Sequence, residues 1–270
     1  MVTYWNIWTM TVNGTNRTPL TTQTPSNQIQ PSWSLDASTL AYASNDAQTP
    51  SLTTWEIWTM TAAGTVPDQL TTQSPSWAIA PSCSPADDGD ILFVSDSDAT
   101  GGSAIWVCDA DGDNARILKD GLGRDGDASP ALSTLLGSTA AASLNLPANA
   151  GISRPVWSPD GTKIAYAAES SLGGPIDIFV MDADVSDVED EELTLEEYVE
   201  ALGVLNPDIT TSDDEFCPYW LEDGSGIVFV KEDDAGDFQL YKVSLVIDPT
   251  LGEVTLLTEV GDNVSPASKR

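Results

Sequence analysis

Thirty residues of this chain occur twice. Residues 5–34, WNIWTMTVNGTNRTPLTTQTPSNQIQPSWS, align without a gap on residues 55–84, WEIWTMTAAGTVPDQLTTQSPSWAIAPSCS, with 18 of 30 positions identical. A repeat at a 50-residue offset restricts the chain to folds in which one supersecondary unit is copied and each copy packs on the next. Each copy reads as β-structure. Trp5, Ile7 and Thr9 share one face of a strand, and Trp8 and Met10 the other. Apolar groups on both faces fit a sheet packed between neighbours. Asn13-Gly14 is a hairpin-turn signal, and Leu20 to Gln23 reads as a short outer strand.

The unit continues through Pro31-Ser32-Trp33-Ser34 and a strand at Leu40–Ser44. Residues 45–54 are a polar loop, Trp55–Met60 the next strand, and Leu70–Gln73 the last. This predicts a four-stranded meander. The pattern recurs from Pro81, from Pro155 and from Pro218, and a last start, Ser265-Pro266-Ala267-Ser268, stands at the end. Two segments break the rhythm. Residues 121–154 contain Ser129-Pro130-Ala131-Leu132-Ser133 and read as a degenerate blade or a long insertion; Pro130 lies 49 residues after Pro81, which favours the blade. In residues 185–211, Thr194-Leu195-Glu196-Glu197 is a capping box. Leu195, Tyr198, Val199 and Leu202 share one helical face and Gly203 ends it, so a short helix is expected near 194–203, inserted between two outer strands of a blade.

The run Trp157-Ser158-Pro159-Asp160-Gly161, then Ile164-Ala165-Tyr166, then Ile178-Phe179-Val180-Met181-Asp182-Ala183-Asp184, resembles the TolB-type (WD40-like) β-propeller repeat. The resemblance implies an all-β propeller of four-stranded blades, five to six in number, one of them degenerate or split between the termini. As a single domain over 1–270, the blades fall near 1–23 with 263–270, 31–73, 81–120, an irregular 121–154, 155–211 and 218–259. The closing blade would lack its second strand, so closure is imperfect or the chain is an excerpt. The repeat occurs in periplasmic binding proteins, in propeller domains of serine oligopeptidases and in polysaccharide-acting enzymes. It implies that a protein or peptide partner meets the loops at one end or enters the central channel. Fold alone does not choose among these.

Charge narrows the setting. The chain has 42 acidic and 10 basic residues, a formal charge of −32, spread along its length. Self-repulsion of that size opposes compaction in dilute buffer. In molar salt the screening length falls to about 3 Å. A halophilic protein is expected; an ordinary acidic secreted protein, or one that gathers divalent cations, is the alternative. No basic stripe exists for nucleic acid. No apolar run approaches the roughly 20 residues that span a bilayer. The first residues, MVTYWNIWTM, lack the pattern of a signal peptide. Either export does not use that route or the chain is mature or trimmed, and an extracytoplasmic or cell-surface location is expected.

Histidine is absent, which removes a Ser-His-Asp triad and imidazole metal sites. Gly-x-Ser-x-Gly is absent too. Cys83, Cys108 and Cys217 are widely spaced and read as buried free thiols. Asp109, Asp111 and Asp113 alternate in sequence and form a candidate calcium site; a hairpin turn is the competing reading. Asp96 and Asp98 are a weaker candidate. Asp160-Gly161 and Asp223-Gly224 read as turns, Asp187–Glu192 as a solvated charge run, and most tryptophans as core, with Trp77 the exception to test. Carboxylate pairs suit a glycosidase, but 42 acidic residues offer no choice of pair. A non-catalytic binding or assembly module is therefore expected. The propeller part of a larger serine peptidase, a polysaccharide-acting enzyme, and a structural surface or virion component are the competing classes.

Overall fold

The computed structural model describes residues 4–11, 13–22, 26–45, 55–72, 77–86, 88–96, 103–119, 154–169, 176–184, 193–195, 197–198, 215–232, 238–245 and 255–257. Among these, the strands form a two-stranded sheet and four antiparallel four-stranded sheets. The N-terminal unit is β1 (Trp8–Thr9) and β2 (Thr18–Pro19). Blade one is β3 (Gln28–Trp33), β4 (Thr39–Ser44), β5 (Glu56–Thr61) and β6 (Asp68–Gln69). Blade two is β7 (Ala78–Cys83), β8 (Ile91–Asp96), β9 (Ser103–Cys108) and β10 (Arg116–Lys119). Blade three is β11 (Val156–Trp157), β12 (Lys163–Glu169), β13 (Ile176–Asp182) and β14 (Leu193–Thr194). Blade four is β15 (Glu215–Trp220), β16 (Gly226–Glu232), β17 (Phe238–Ser244) and β18 (Thr255–Leu256).

Each blade is a meander in chain order, and blades one to three bury both faces against neighbours, which is why their strands are apolar on both sides. Leu40, Tyr42, Trp58 and Met60 of blade one pack on Ile7 and Leu20 of the N-terminal unit. Ala41, Ala43, Trp55 and Ile57 on the opposite face meet Ile79, Ile91 and Phe93 of blade two. Leu92, Ile105 and Val107 pack on Trp157, Ile164 and Tyr166 of blade three. Ala165, Ile178 and Val180 pack on Trp220, Ile227 and Phe229 of blade four. The four sheets stand in a ring, a β-propeller.

The first strands begin earlier than the prolines suggested. β3, β7 and β15 start three residues before Pro31, Pro81 and Pro218. A β-bulge carries the pairing past each proline: Ile29 faces Ala43, and the next pair is Ser32 with Ala41. The residue before each proline takes a left-handed backbone, with φ of 54° at Gln30 and Ala80 and 50° at Cys217. The bulge leaves an unpaired position, so the missing proline N–H costs no ladder bond.

The described residues form four complete blades and the two-stranded N-terminal unit. Residues 121–154 and 263–270, assigned to further blades, lie outside the described residues. Blades two and three nevertheless touch directly, for Trp157 Nε1 donates to the Ser82 carbonyl at 3.3 Å. The capping box forms: the Thr194 N–H donates to Glu197 Oε2 at 2.9 Å and the Glu197 N–H to Thr194 Oγ1 at 3.2 Å. The helix it starts follows β14, the outermost strand of blade three, so it lies between two blades and not between two outer strands of one. Its expected end, 199–203, lies outside the described residues.

The expected N-terminal strand, Trp5 to Met10, shortens to Trp8–Thr9. The expected outer strands at Leu20 and Leu70 sit two residues earlier, at Thr18 and Asp68.

Candidate functional site: the loop end of the propeller

The two ends of the ring differ. At one end the connections are tight and satisfy their own polar groups. Ser34 N–H donates to the Thr39 carbonyl at 2.9 Å, Ser158 N–H to Lys163 at 2.8 Å, and Leu221 N–H to Gly226 at 2.8 Å. Asp160 Oδ1 accepts the Ser158 hydroxyl at 2.6 Å and the Thr162 N–H at 3.0 Å. Asp36 repeats this with Ser34 at 2.7 Å and Ser38 N–H at 2.9 Å. Such bonds favour the ionised form. The Ser158 hydroxyl and Thr162 N–H hold Asp160 below the usual carboxylate range. The Ser38 N–H and Ser34 hydroxyl do so for Asp36, and Ser225 for Asp223. The Asp160-Gly161 and Asp223-Gly224 pairs are turn chemistry; Gly161 and Gly224 have φ of 73° and 69°.

The proposed calcium residues sit at this turn end. Asp109 N–H donates to the Asp113 carbonyl at 3.0 Å, and Gly112 N–H to the Asp109 carbonyl at 2.9 Å. Asp109 Oδ2 accepts Asn114 Nδ2 at 2.7 Å, and Asp111 Oδ1 accepts the Asp113 N–H at 3.2 Å. Two of the three carboxylates are thus used by the hairpin itself. Among the described residues no group of three or more Cys, Asp or Glu side chains is placed to hold a metal ion. Asp98 and the 187–192 run lie outside the described residues. Trp77 packs, partly buried, against the core between blades one and two, and its carbonyl accepts the Ser95 hydroxyl at 2.5 Å.

All three cysteines are free and buried. Burial, and then Asp90, Asp109 and Asp111 nearby, push the Cys108 thiol up to about 12. It is therefore a packing group and not a nucleophile at neutral pH.

At the opposite end, where the first strands begin and the second strands finish, polar side chains are buried in register. Gln28 stands opposite Ser44, and Ser44 opposite Glu56. In blade four the same row is Glu215, Lys231 and Gln239. In blade three Asp177 faces Ala168. Gln28, Glu56, Asp177, Glu215 and Gln239 are all buried. A buried carboxylate requires hydrogen bonds. Glu56 Oε2 accepts the Thr71 hydroxyl at 2.5 Å, and that hydroxyl accepts the Ile57 N–H at 2.9 Å. Fifty residues earlier, Asn6 Oδ1 accepts the Thr21 hydroxyl at 3.3 Å, and Thr21 accepts the Ile7 N–H at 2.8 Å. Gln28 Nε2 donates to Ser26 at 3.0 Å and Ser44 at 3.4 Å, while its Oε1 has no hydrogen-bond partner among the described residues.

These belt residues were not singled out in the sequence, yet a signal existed. Aligned third strands read Trp-Asn-Ile-Trp at 5–8, Trp-Glu-Ile-Trp at 55–58, Ile-Asp-Ile-Phe at 176–179 and Phe-Gln-Leu-Tyr at 238–241. A carboxylate or carboxamide recurs before the central aliphatic in these four, whereas the third strand of blade two, Ser103-Ala104-Ile105-Trp106, has alanine there. Such a belt places a row of buried polar side chains at this end of the blades.

The fold and this end define a β-propeller with one polar, loop-bearing end. No protein-family model matches the chain, and no curated protein does. Solved structures do. TolB from Acinetobacter baumannii superposes with a TM-score of 0.60 at 17% identity, covering 92% of this chain and 47% of that one. A putative TolB from Agrobacterium tumefaciens also gives 0.60, at 19% identity, over 95% of this chain and 68% of that one. An oligogalacturonate lyase from Vibrio parahaemolyticus gives 0.51 at 14% identity, over 94% and 60%. The chain thus spans about half the length of the first of these. The likeness to TolB is one of fold, a propeller, and the same fold carries enzymes. Among the described residues no helix is long and apolar enough to cross a membrane.

Proposed function

We propose that this propeller is a non-catalytic binding and assembly module of the TolB-like type that takes a protein or peptide partner at its loop end. The observation that carries this reading is the buried polar belt of Gln28, Glu56, Asp177, Glu215 and Gln239 at one end, against self-satisfied turns at the other. Loops held by a rigid scaffold are the usual place for recognition. The absence of histidine and of a nucleophile motif from the sequence supports a binding role. The charge of −32 supports a high-salt setting, and the TolB-like fold an extracytoplasmic or cell-surface one.

The test is positional. A photo-crosslinker goes at Thr72, exposed at the loop end, or at Ala63, exposed at the turn end. Capture of a partner in molar salt is expected from position 72 and not from 63. Equal capture from both ends, or turnover of a polyuronate or a peptide by the purified chain, would overturn the proposal.

A further inference from the structure

The hairpin between β1 and β2 holds two overlapping-turn triplets, Asn13-Gly14-Thr15 and Asn16-Arg17-Thr18. Both have the form Asn-x-Thr with a residue other than proline in the middle. On an exposed loop such a triplet is an acceptor of N-linked sugar. The second copy of the repeat reads Ala63-Gly64-Thr65 and Val66-Pro67-Asp68 at these places, so of the two copies only the first carries the triplets. A third, Asn263-Val264-Ser265, lies outside the described residues.

The turn does not itself require asparagine at either place. Val66 takes the same left-handed backbone as Asn16, with φ of 54° at both. Ala63 stands where Asn13 does, and both turns close with the glycine N–H donating to a threonine carbonyl at 2.8 Å.

The two triplets differ in what the threonine hydroxyl meets. Asn13 Oδ1 accepts the Thr15 N–H at 3.2 Å and the Thr15 hydroxyl at 2.8 Å. A backbone N–H can only donate, which fixes this atom as the oxygen of the carboxamide. Asn13 Nδ2 is then left without a hydrogen bond among the described residues. In the second triplet the Thr18 hydroxyl donates instead to the main-chain carbonyl of Asn16, at 3.3 Å. Only at Asn13 does the hydroxyl two residues on reach the carboxamide.

Asn13 is exposed, and the position is exposed wherever it recurs. In blades one and two the following glycine, Gly64 or Gly112, lies against the Leu20 or Leu70 carbonyl of the unit before it. Ala63 and Asp111, which match Asn13, remain exposed with that neighbour in place. The exposure thus belongs to the tip of the turn and does not depend on what precedes it.

We infer that Asn13 is a site of N-glycosylation. The inference rests on the extracytoplasmic reading above, since the sugar is transferred on that side of the membrane. The co-substrate is a polyprenyl-phosphate-linked oligosaccharide. Asn13 Nδ2 attacks its anomeric carbon and a C–N bond forms. The anomeric C–O bond breaks, the lipid phosphate leaves with that electron pair, and one Nδ2 proton passes to a base of the transferring enzyme. The Thr15 donors on Oδ1 stabilise the negative charge that builds on the carboxamide as the proton departs. A sugar here stands at the turn end of the ring and leaves the loop end open to a partner.

The test takes the whole chain from the cells that make it, with cytosol separated from the exported fraction. Mass spectrometry of the peptide containing Asn13 is expected to show one added oligosaccharide. Asn13→Gln and Thr15→Ala remove that mass, whereas Thr15→Ser and Asn16→Gln keep it. Mild base, which strips sugars from threonine, leaves it in place. A bare Asn13 on exported chain overturns the inference and leaves the location standing. A chain confined to the cytosol overturns both. Sugar carried by Asn16 or Thr15 in place of Asn13 also overturns it.

Discussion

The indole Nε1 of Trp157 donates to the carbonyl of Ser82 at 3.3 Å, across 75 residues of chain. Trp157 ends the first strand of blade three, and Ser82 lies in the first strand of blade two. The same link joins blades one and two through Cys83, whose Sγ lies 3.5 Å from the Ser32 carbonyl and whose N–H donates to Ser32 Oγ at 3.1 Å. In blade four, Trp220 holds the matching place, and its Nε1 has no hydrogen-bond partner among the described residues.

That contrast sets a first prediction. Trp157→Phe keeps most of the packing and loses one hydrogen bond, at a cost of about 1 kcal/mol. Trp157→Ala costs about 3–5 kcal/mol, through the cavity it opens between blades. Trp220→Phe serves as the control and is expected to cost less than Trp157→Phe. Urea unfolding at fixed molar salt measures all three; equal costs for the two Phe variants would remove the latch from the account.

Thr71 and Thr21 occupy the same place in two repeats but serve different acceptors. Thr71 serves the buried carboxylate of Glu56 and Thr21 the carboxamide of Asn6. The Thr71 hydroxyl lies 2.5 Å from its acceptor and the Thr21 hydroxyl 3.3 Å from its own, and a hydrogen bond of ordinary geometry contributes about 1 kcal/mol. Thr71→Val is therefore expected to destabilise more than Thr21→Val in the same unfolding assay. The reverse order would mean that Glu56 is held chiefly by other groups.

Two Asp→Asn variants in the turns should move stability in opposite directions at neutral pH. Asp160 has a folded pKa below its unfolded one. Its contribution is full above about pH 4 and fades as pH falls through the folded value. Asp160→Asn should lower the melting temperature slightly at pH 7, with the gap closing in acid. Burial, then Asp88 and Asp109, raise the pKa of Asp90. Its charge opposes folding at pH 7, and that cost disappears as pH falls below about 4. Asp90→Asn should raise the melting temperature at pH 7. Melting curves from pH 7 to 3 test both signs.

Salt should matter more than any single residue. With 42 acidic and 10 basic groups, repulsion is the main long-range term. The melting temperature is expected to rise by at least about 5 °C between dilute buffer and molar potassium chloride, corresponding to roughly 2 kcal/mol for a chain of this size. A melting temperature indifferent to salt would remove the halophilic reading.

Local chemistry was legible in the sequence, and context was not. The Asp160-Gly161 turn and the Thr194–Glu197 capping box form because each depends on residues within a few positions. The bulges at Gln30, Ala80 and Cys217 were hidden: a proline reads as a strand start, and no side chain marks a left-handed backbone at Gln, Ala or Cys. Trp8 and Trp58 lie in nearly identical strings, yet one is exposed and the other buried. Burial is decided by the neighbouring strand, which lies elsewhere in the chain or outside it. The belt carboxylates were lost among many other acids until the third strands were superposed by register.

Trp157 and Ser82 also show how little a ring of this kind resists lengthening. The Cys83 to Ser32 link spans 51 residues, and the Trp157 to Ser82 link spans 75. By the logarithmic cost of closing a flexible loop, the longer path adds only about 0.3 kcal/mol. One hydrogen bond offsets it. The seam between an outer strand and the next inner strand is therefore a place where a lineage can acquire extra sequence almost without thermodynamic penalty. Apolar packing between blades, and not the brevity of their connections, keeps the order of the ring.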